Sequence, residues 1–209
     1  MKLTKTKEII FIPLLLTIIF SLLVSNSINN QQVIAQDDIF GGPTTTESSV
    51  QSLGNASIVY ESPVYGITTQ YPDGWDIIIQ NTSNSSFSLR FNSPLENDTD
   101  SFRENVRLVI GTVSNNSALS NITSAILTSY LELYPDLELM ELSSTNLTGS
   151  AIPAYKLVAS RTQEGSNFMQ IFAIKEDKLY SIIYSSEKSR YSTYLPIIEK
   201  MINSFEVTQ

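Results

Sequence analysis

The hardest oxygen donors of the chain crowd into one short stretch, Glu96-Asn97-Asp98-Thr99-Asp100, with Glu104 close behind. Several carboxylates in one loop suit Ca²⁺, which gathers about six to eight oxygens. Glu96, Asp98 and Asp100 are therefore the candidate metal ligands. The stretch lacks the EF-hand ligand spacing and its glycine, so a solvated acidic turn stands as the alternative reading. Asp73 and Asp76 flank Gly74-Trp75 and suit turn and strand-end chemistry. Glycosidase work needs two carboxylates at a spatial separation of about 5 to 9.5 Å, and sequence spacing nominates no such pair.

The chain contains no cysteine and no histidine. Those absences exclude a Ser-His-Asp or Cys-His triad, thiolate chemistry and zinc sites built on imidazole or thiolate. They also exclude a disulfide, so stability must come from a core. No nucleophile, phosphate loop or cofactor motif is visible, which reads as a non-enzyme that requires no cofactor, with Ca²⁺ the one ion its residues suggest. Tyr180, Tyr184, Tyr191 and Tyr194 could line a ligand groove. Their spacing, two on one strand face and two on one helix face, equally fits packing between sheet and helix.

Seven N-x-[ST] acceptors occur, at Asn55, Asn81, Asn84, Asn97, Asn115, Asn121 and Asn146. They fall in segments that read as loops or element ends and are candidate glycosylation sites, with chance matches in polar loops as the plainer account. Their context is an exported chain. Lys2, Lys5 and Lys7 precede a sixteen-residue run without charges, Ile9 to Val24, and Val33-Ile34-Ala35 ends in a small residue. Residues 1–35 thus read as a signal peptide, with an uncleaved anchor as the alternative, since the run falls just short of the span of about 20 residues a membrane helix needs. The domain then lies outside the membrane, at the cell surface or in the extracellular space, and touches a bilayer only through residues 9–24 if they are retained. Removing Lys2, Lys5, Lys7 and Glu8 moves the formal net charge from −8 to −10. An acidic surface without a Lys/Arg cluster argues against nucleic acid as a partner.

Residues 36–56, with Gly41-Gly42-Pro43 and many Gln, Thr and Ser, read as a flexible tether. The folded domain is expected over 57–209. Ile58 to Gln70 holds two short strands around Ser62-Pro63, Pro72-Asp73-Gly74 turns the chain, and Trp75 to Gln80 and Phe87 to Phe91 form a hairpin across a polar loop, Asn81 to Ser86. Trp75 reads as a corner residue that anchors sheet to helix. Val106 to Val113 is apolar enough for a central strand. Leu119, Ile122, Ile126, Tyr130 and Leu133 share one face of a helix, with Ser117 as its expected N-cap and Pro135 as its stop. Strands follow at Leu137–Leu142, Ala154–Arg161, Phe168–Lys175 and Lys178–Ser185. A second amphipathic helix from Tyr191 to Ile202, containing Pro196, precedes a short strand at Ser204–Val207. The class is α+β, an antiparallel sheet covered by helices.

The succession Tyr65-Gly66-Ile67, Tyr71-Pro72, Gly74-Trp75, Phe91 through Ser93-Pro94 into the acidic loop, and the terminal Met201-Ile202-Asn203-Ser204-Phe205 resembles the PsbP family over Ile58 to Val207. The resemblance is to an exported prokaryotic member, for instance an archaeal one. It implies an α-β-α sandwich with a central, mostly antiparallel sheet of about six strands. Plant members of that family bind a photosystem and help retain calcium and chloride; the basic arm by which they dock is unmatched here, where the tether carries Asp37, Asp38 and Glu47. The expected function is a non-catalytic domain that binds a membrane or cell-surface protein complex. A small-molecule or Ca²⁺-binding module of the envelope is the second reading, and a hydrolase of envelope glycans the third.

Overall fold

A computed structural model describes residues 56–83, 86–114 and 116–208. The expected signal segment, the tether up to residue 55, and the sequons at Asn55, Asn84 and Asn115 lie outside the described residues. Among the described residues no helix is long and apolar enough to cross a membrane.

Among the described residues, ten strands and two helices follow one another as β1 (Ser57–Ser62), β2 (Ile67–Pro72), β3 (Asp76–Ser83), β4 (Ser86–Asn92), β5 (Asn105–Thr112), α1 (Leu119–Leu133), β6 (Leu137–Leu147), β7 (Ile152–Arg161), β8 (Ser166–Lys175), β9 (Lys178–Glu187), α2 (Tyr191–Ser204) and β10 (Glu206–Val207). A 3-10 turn, Thr148–Ser150, links β6 to β7. The main sheet has seven strands in the order β3-β4-β5-β9-β8-β7-β6, and a small sheet has the order β1-β2-β10. All strand pairs are antiparallel. Short connections make two hairpin runs, β3 to β5 and β6 to β9. Helix α1 carries the chain from β5 to the far edge, so that β6 to β9 return and close against β5.

The expected central, antiparallel sheet of about six strands is present with seven, beside a separate sheet of three. Two elements run longer than their hydrophobic patterns suggest. β3 continues to Ser83, pairing Asn81 with Phe87 and Ser83 with Ser86 where a polar loop was expected. β6 continues past Leu142 to Leu147, after a register shift between Leu139 and Glu141. Both are edge strands, and an edge tolerates polar residues on both faces because one side meets solvent. Ser117 is not the cap of α1. Ala118 occupies that position without a side-chain bond, while Ser117 N closes a turn onto Ser114 O at 2.8 Å. Pro135 does follow the helix end, where Tyr134 N donates to Tyr130 O.

The two-residue alternation of the strands divides the core. On one face, Phe87, Leu89 and Phe91 of β4, Val106, Leu108 and Ile110 of β5 and Ile182 and Tyr184 of β9 pack with Ile198, Met201 and Ile202 of α2. Ile67, Trp75 and Phe205 join that layer. On the other face, Ile122, Ile126 and Tyr130 of α1 pack on Leu157, Ala159, Phe168, Phe172 and Leu179. Trp75 is 5% exposed and its ring lies 6.2 Å from that of Tyr194, so it ties the start of β3 to α2 as a corner residue should. Gly74 makes the preceding turn with φ +81°, a conformation that favours glycine. β2 is fixed to α2 by Thr69 Oγ1 donating to Met201 O at 3.2 Å and Gln70 N donating to Ser204 Oγ at 2.8 Å. Gly149 allows the 3-10 turn to meet the end of α2, because a Cβ there would stand 2.3 Å from Phe205 O.

Candidate functional site

The acidic loop between β4 and β5 sits at one end of the main sheet, beside the start of α2. Its carboxylates are largely turned onto the protein itself. Asp100 accepts from Glu96 N at 2.9 Å and from Phe102 N at 3.0 Å, and Asn97 Oδ1 accepts from Thr99 N at 2.9 Å. Glu96 forms an ion pair with Arg190, the residue before α2, and accepts from the Tyr194 hydroxyl at 3.4 Å. Arg103 bonds Ser93 O and holds Asp76 at 2.7 Å, which clamps the loop to the start of β3. Asp98 is exposed. Among the described residues no group of three or more acidic side chains converges to hold a metal. Ca²⁺ requires many oxygens around one point. With Glu96 neutralised by an arginine and Asp100 engaged by backbone donors, the residues as arranged do not fit that ion.

Beneath the loop, strand register assembles a feature that no single segment displays. Ser93 N donates to Glu104 O at 2.8 Å, Ser186 Oγ donates to Glu104 Oε1 at 3.4 Å, Ser186 pairs with Asn167, and Asn167 pairs with Ser160. Ser93, Glu104, Ser186, Asn167 and Ser160 thus form one polar rung across the sheet, all buried. Two residues further along the strands the same face is apolar, with Val106, Tyr184, Met169 and Val158. Asn167 Oδ1, Ser160 Oγ, Trp75 Nε1 and Arg190 Nε are buried without a hydrogen-bond partner. Buried polar atoms of this kind are normally satisfied, so their gathering at one end of one face marks a polar region of the interior.

Electrostatics separate the two glutamates. Burial, reinforced by the charges of Asp100 and Glu187, raises the Glu104 carboxyl above its ordinary value, against bonds from its own backbone and from Ser186. Arg190 stands directly on Glu96 and supplies its counter-charge. The tyrosines over the rung respond to the same burial. Tyr184 and Tyr194 are raised chiefly by desolvation, and Tyr191 is pushed up to about 12 for the same first reason, with Glu141 and Glu199 adding to it. Tyr184 stacks on Tyr191 at 5.0 Å and donates to Tyr191 O at 3.0 Å. The aromatic series Tyr180, Tyr184, Tyr191 and Tyr194 is sheet-to-helix packing, not a groove.

This arrangement can hold hydrogen bonds and charge. Of the residues singled out in the sequence, it brings Glu96, Asp100 and Glu104 to the end of α2 and leaves Asp98 outside. Asn97, Asn121 and Asn146 are exposed, on the loop, in the first turn of α1 and near the end of β6. Sequence reasoning missed Arg103 and Arg190, which neutralise the loop, and Ser160, Asn167 and Ser186. Their signal was a polar residue interrupting each apolar strand at one end, legible only once register aligns them.

No curated protein matches the chain in sequence. Among solved structures, the fold is similar to cyanobacterial PsbP (CyanoP) from Synechocystis sp. PCC 6803, with TM-score 0.54 and 17% identity over 79% of this chain and 99% of that one. It is similar also to LpqN, involved in cell envelope biogenesis of Mycobacterium tuberculosis, with TM-score 0.55 and 12% identity over 74% of this chain and 91% of that one. The family model for PsbP matches residues 55–207, from just before β1 to the last residue of β10. Matched over all of its described elements, and folded as the succession of Tyr-Gly, Tyr-Pro-x-Gly-Trp and Met-Ile-x-Ser-Phe elements implies, the chain belongs to the PsbP family.

Proposed function

We propose that this chain is an exported, non-catalytic PsbP-family module that acts by binding a membrane or cell-surface protein complex. The match of the PsbP family model to residues 55–207 carries this reading. A fold shared with a protein of cell envelope biogenesis and a leader that reads as a signal segment are consistent with it.

The surface best suited to such a partner is the free edge of the main sheet. β6 is terminal in the sheet, and its Leu139, Met140 and Leu142 are exposed, as are Leu131 and Leu133 of the neighbouring helix α1. An edge strand offers unpaired backbone groups to another chain, and apolar side chains beside it add burial. The test is purification of the tagged full chain from native membranes under mild extraction, beside Met140→Lys and Leu142→Lys. A reproducible partner recovered with the parent chain and lost with the variants is expected. A clean monomer without a partner sinks the reading.

A further inference from the structure

On the α1 side of the main sheet, two arginines stand directly opposite one another. Arg90 of β4 pairs with Arg107 of β5, and both face away from the Phe91 and Val106 layer. Like charges across a strand pair are destabilising. Arg107 is 3% exposed, and its Nη1 is buried without a hydrogen-bond partner. Among the described residues every ion pair uses another cation, Arg103, Lys156, Arg161 or Arg190, so neither guanidinium has a carboxylate. Helix α1 packs on β7 and β8, and the residues around the two arginines on this part of the face include Ser88, Asn92, Asn105, Val109 and Ile183, none of them charged. A buried cation without a counter-ion is strongly unfavourable. In a chain with 21 acidic residues and 13 basic ones, the missing anion is the more conspicuous.

We infer that Arg90 and Arg107 form a binding site for a soluble phosphate dianion, inorganic phosphate or a phosphate monoester. Two adjacent guanidiniums match the charge of roughly −1.5 to −2 on such a group and its several acceptor oxygens. A carboxylate would neutralise only one of them. Arg107 is buried and Arg90 only partly so, which puts Arg90 nearer to solvent. The phosphodiester of an anionic bilayer fits less well, because it carries a single charge and its surface repels a chain of net charge −8.

Calorimetry of the full chain with inorganic phosphate tests the site, with Arg90→Gln, Arg107→Lys and the double variant R90Q/R107Q as comparisons and thermal melts to confirm folding. Saturable heat is expected, weakened at least about ten-fold in Arg90→Gln and abolished in the double variant, with Arg107→Lys retaining part of it. Three outcomes overturn the proposal. The first is no heat with phosphate, and the second is binding that Arg90→Gln leaves unchanged. The third is phosphate binding that emerges only when Asp37→Asn, Asp38→Asn and Glu47→Gln are combined, which assigns the counter-anion to the chain itself. Binding to phosphatidylglycerol vesicles without binding to phosphate counts against it as well. Recovery of a protein partner through β6 bears on none of these results, so the two readings fail separately.

Discussion

The two faces of the main sheet are made by alternate residues of the same strands, yet they serve different ends. In β4, Phe87, Leu89 and Phe91 enter the large core under α2, while Ser86, Ser88, Arg90 and Asn92 point to the other side. β5 divides likewise, with Val106, Leu108 and Ile110 against Asn105, Arg107 and Val109. The apolar cluster of the α1 face lies where α1 covers it, on β7, β8 and the start of β9, and beyond it Val109 and Ile183 stand among Ser88, Asn92, Asn105 and the two arginines. A period of two therefore encodes packing on one face and, over two strands of the other, polar chemistry. A single strand tests this division. Phe91→Ala empties a site 2% exposed and is expected to lower stability by about 3–5 kcal/mol in urea denaturation. Ser88→Ala, on the opposite face of the same strand, should stay within about 1 kcal/mol. Equal losses would mean that both faces are core and that the contrast is wrong.

The next largest effect concerns the polar bond that holds α1 to its own face. Tyr130 OH donates to Gln170 Oε1 at 2.6 Å, and Gln170 Nε2 donates to Ser181 Oγ at 2.6 Å, with Gln170 wholly buried. Tyr130→Phe preserves shape but strands a buried acceptor, so a loss of about 1–3 kcal/mol is expected. Tyr184→Phe on the α2 face removes a bond to Tyr191 O of 3.0 Å, a carbonyl nearer to solvent at the first turn of α2, and should lose only about 0.5–1.5 kcal/mol. Urea melts of both variants sharpen the comparison. The reverse order would place the more critical polar contact under α2.

Most of this fold was legible because its elements follow simple periods. The apolar run of Val106 to Ile110 gave a central strand, and Ile122, Ile126 and Tyr130 gave a helix with one buried face. Pro-Asp-Gly before Trp75 gave the turn, and the family's aromatic elements gave the architecture. The errors fell at edges. Asn81 to Ser83 and Ser143 to Asn146 are strand because they pair with Phe87, Ser86 and the residues of β7, and pairing is invisible in a local polar pattern. The site was legible only in part for the same reason. Glu96 and Asp100 announced themselves by composition, but Arg190 lies far away in sequence, and the polar rung exists only through register between β5, β9, β8 and β7. The Arg90 and Arg107 pair is likewise a fact of register.

Glu104 supplies a subtler contrast between the buried carboxyl of the α2 face and Asp136, which is held in an ion pair with Arg161. Its folded value is raised, first by burial, so its contribution to stability is complete below the unfolded value of about 4.3 and is lost as pH rises through the folded value. Asp136 behaves oppositely. Burial opposes it, but bonds from Gln163 N and Arg161 hold it below the ordinary carboxylate range, so its contribution is present above the unfolded value and lost as pH falls through the folded one. Thermal melts of Glu104→Gln from pH 4 to pH 8 should show a gap over the parent that widens with pH, each kcal/mol reading as about 2–4 °C. A constant gap would remove Glu104 from the titrating groups of the α2 face.

The smallest effect expected is that of Ca²⁺, and it follows from how the two faces treat charge. At the end of the α2 face, acidic side chains are matched within the protein, Glu96 by Arg190, Asp76 by Arg103 and Asp100 by backbone donors. On the α1 face two arginines have no such match. Millimolar Ca²⁺ would have to displace Arg190 from Glu96 before it could gather oxygens, so a change in Tm below about 1 °C is expected for the parent chain. A ligand at a hundred times its Kd would add about 2.7 kcal/mol, a shift of several degrees. Arg190→Ala should enlarge the Ca²⁺ response by leaving Glu96 without its cation, and Asp98→Ala should leave the parent's small response as it is. A shift of several degrees in the parent, abolished by Asp98→Ala, would show that the loop reorganises around the ion, and the internally matched end of the sheet would then be a ligand site in its own right.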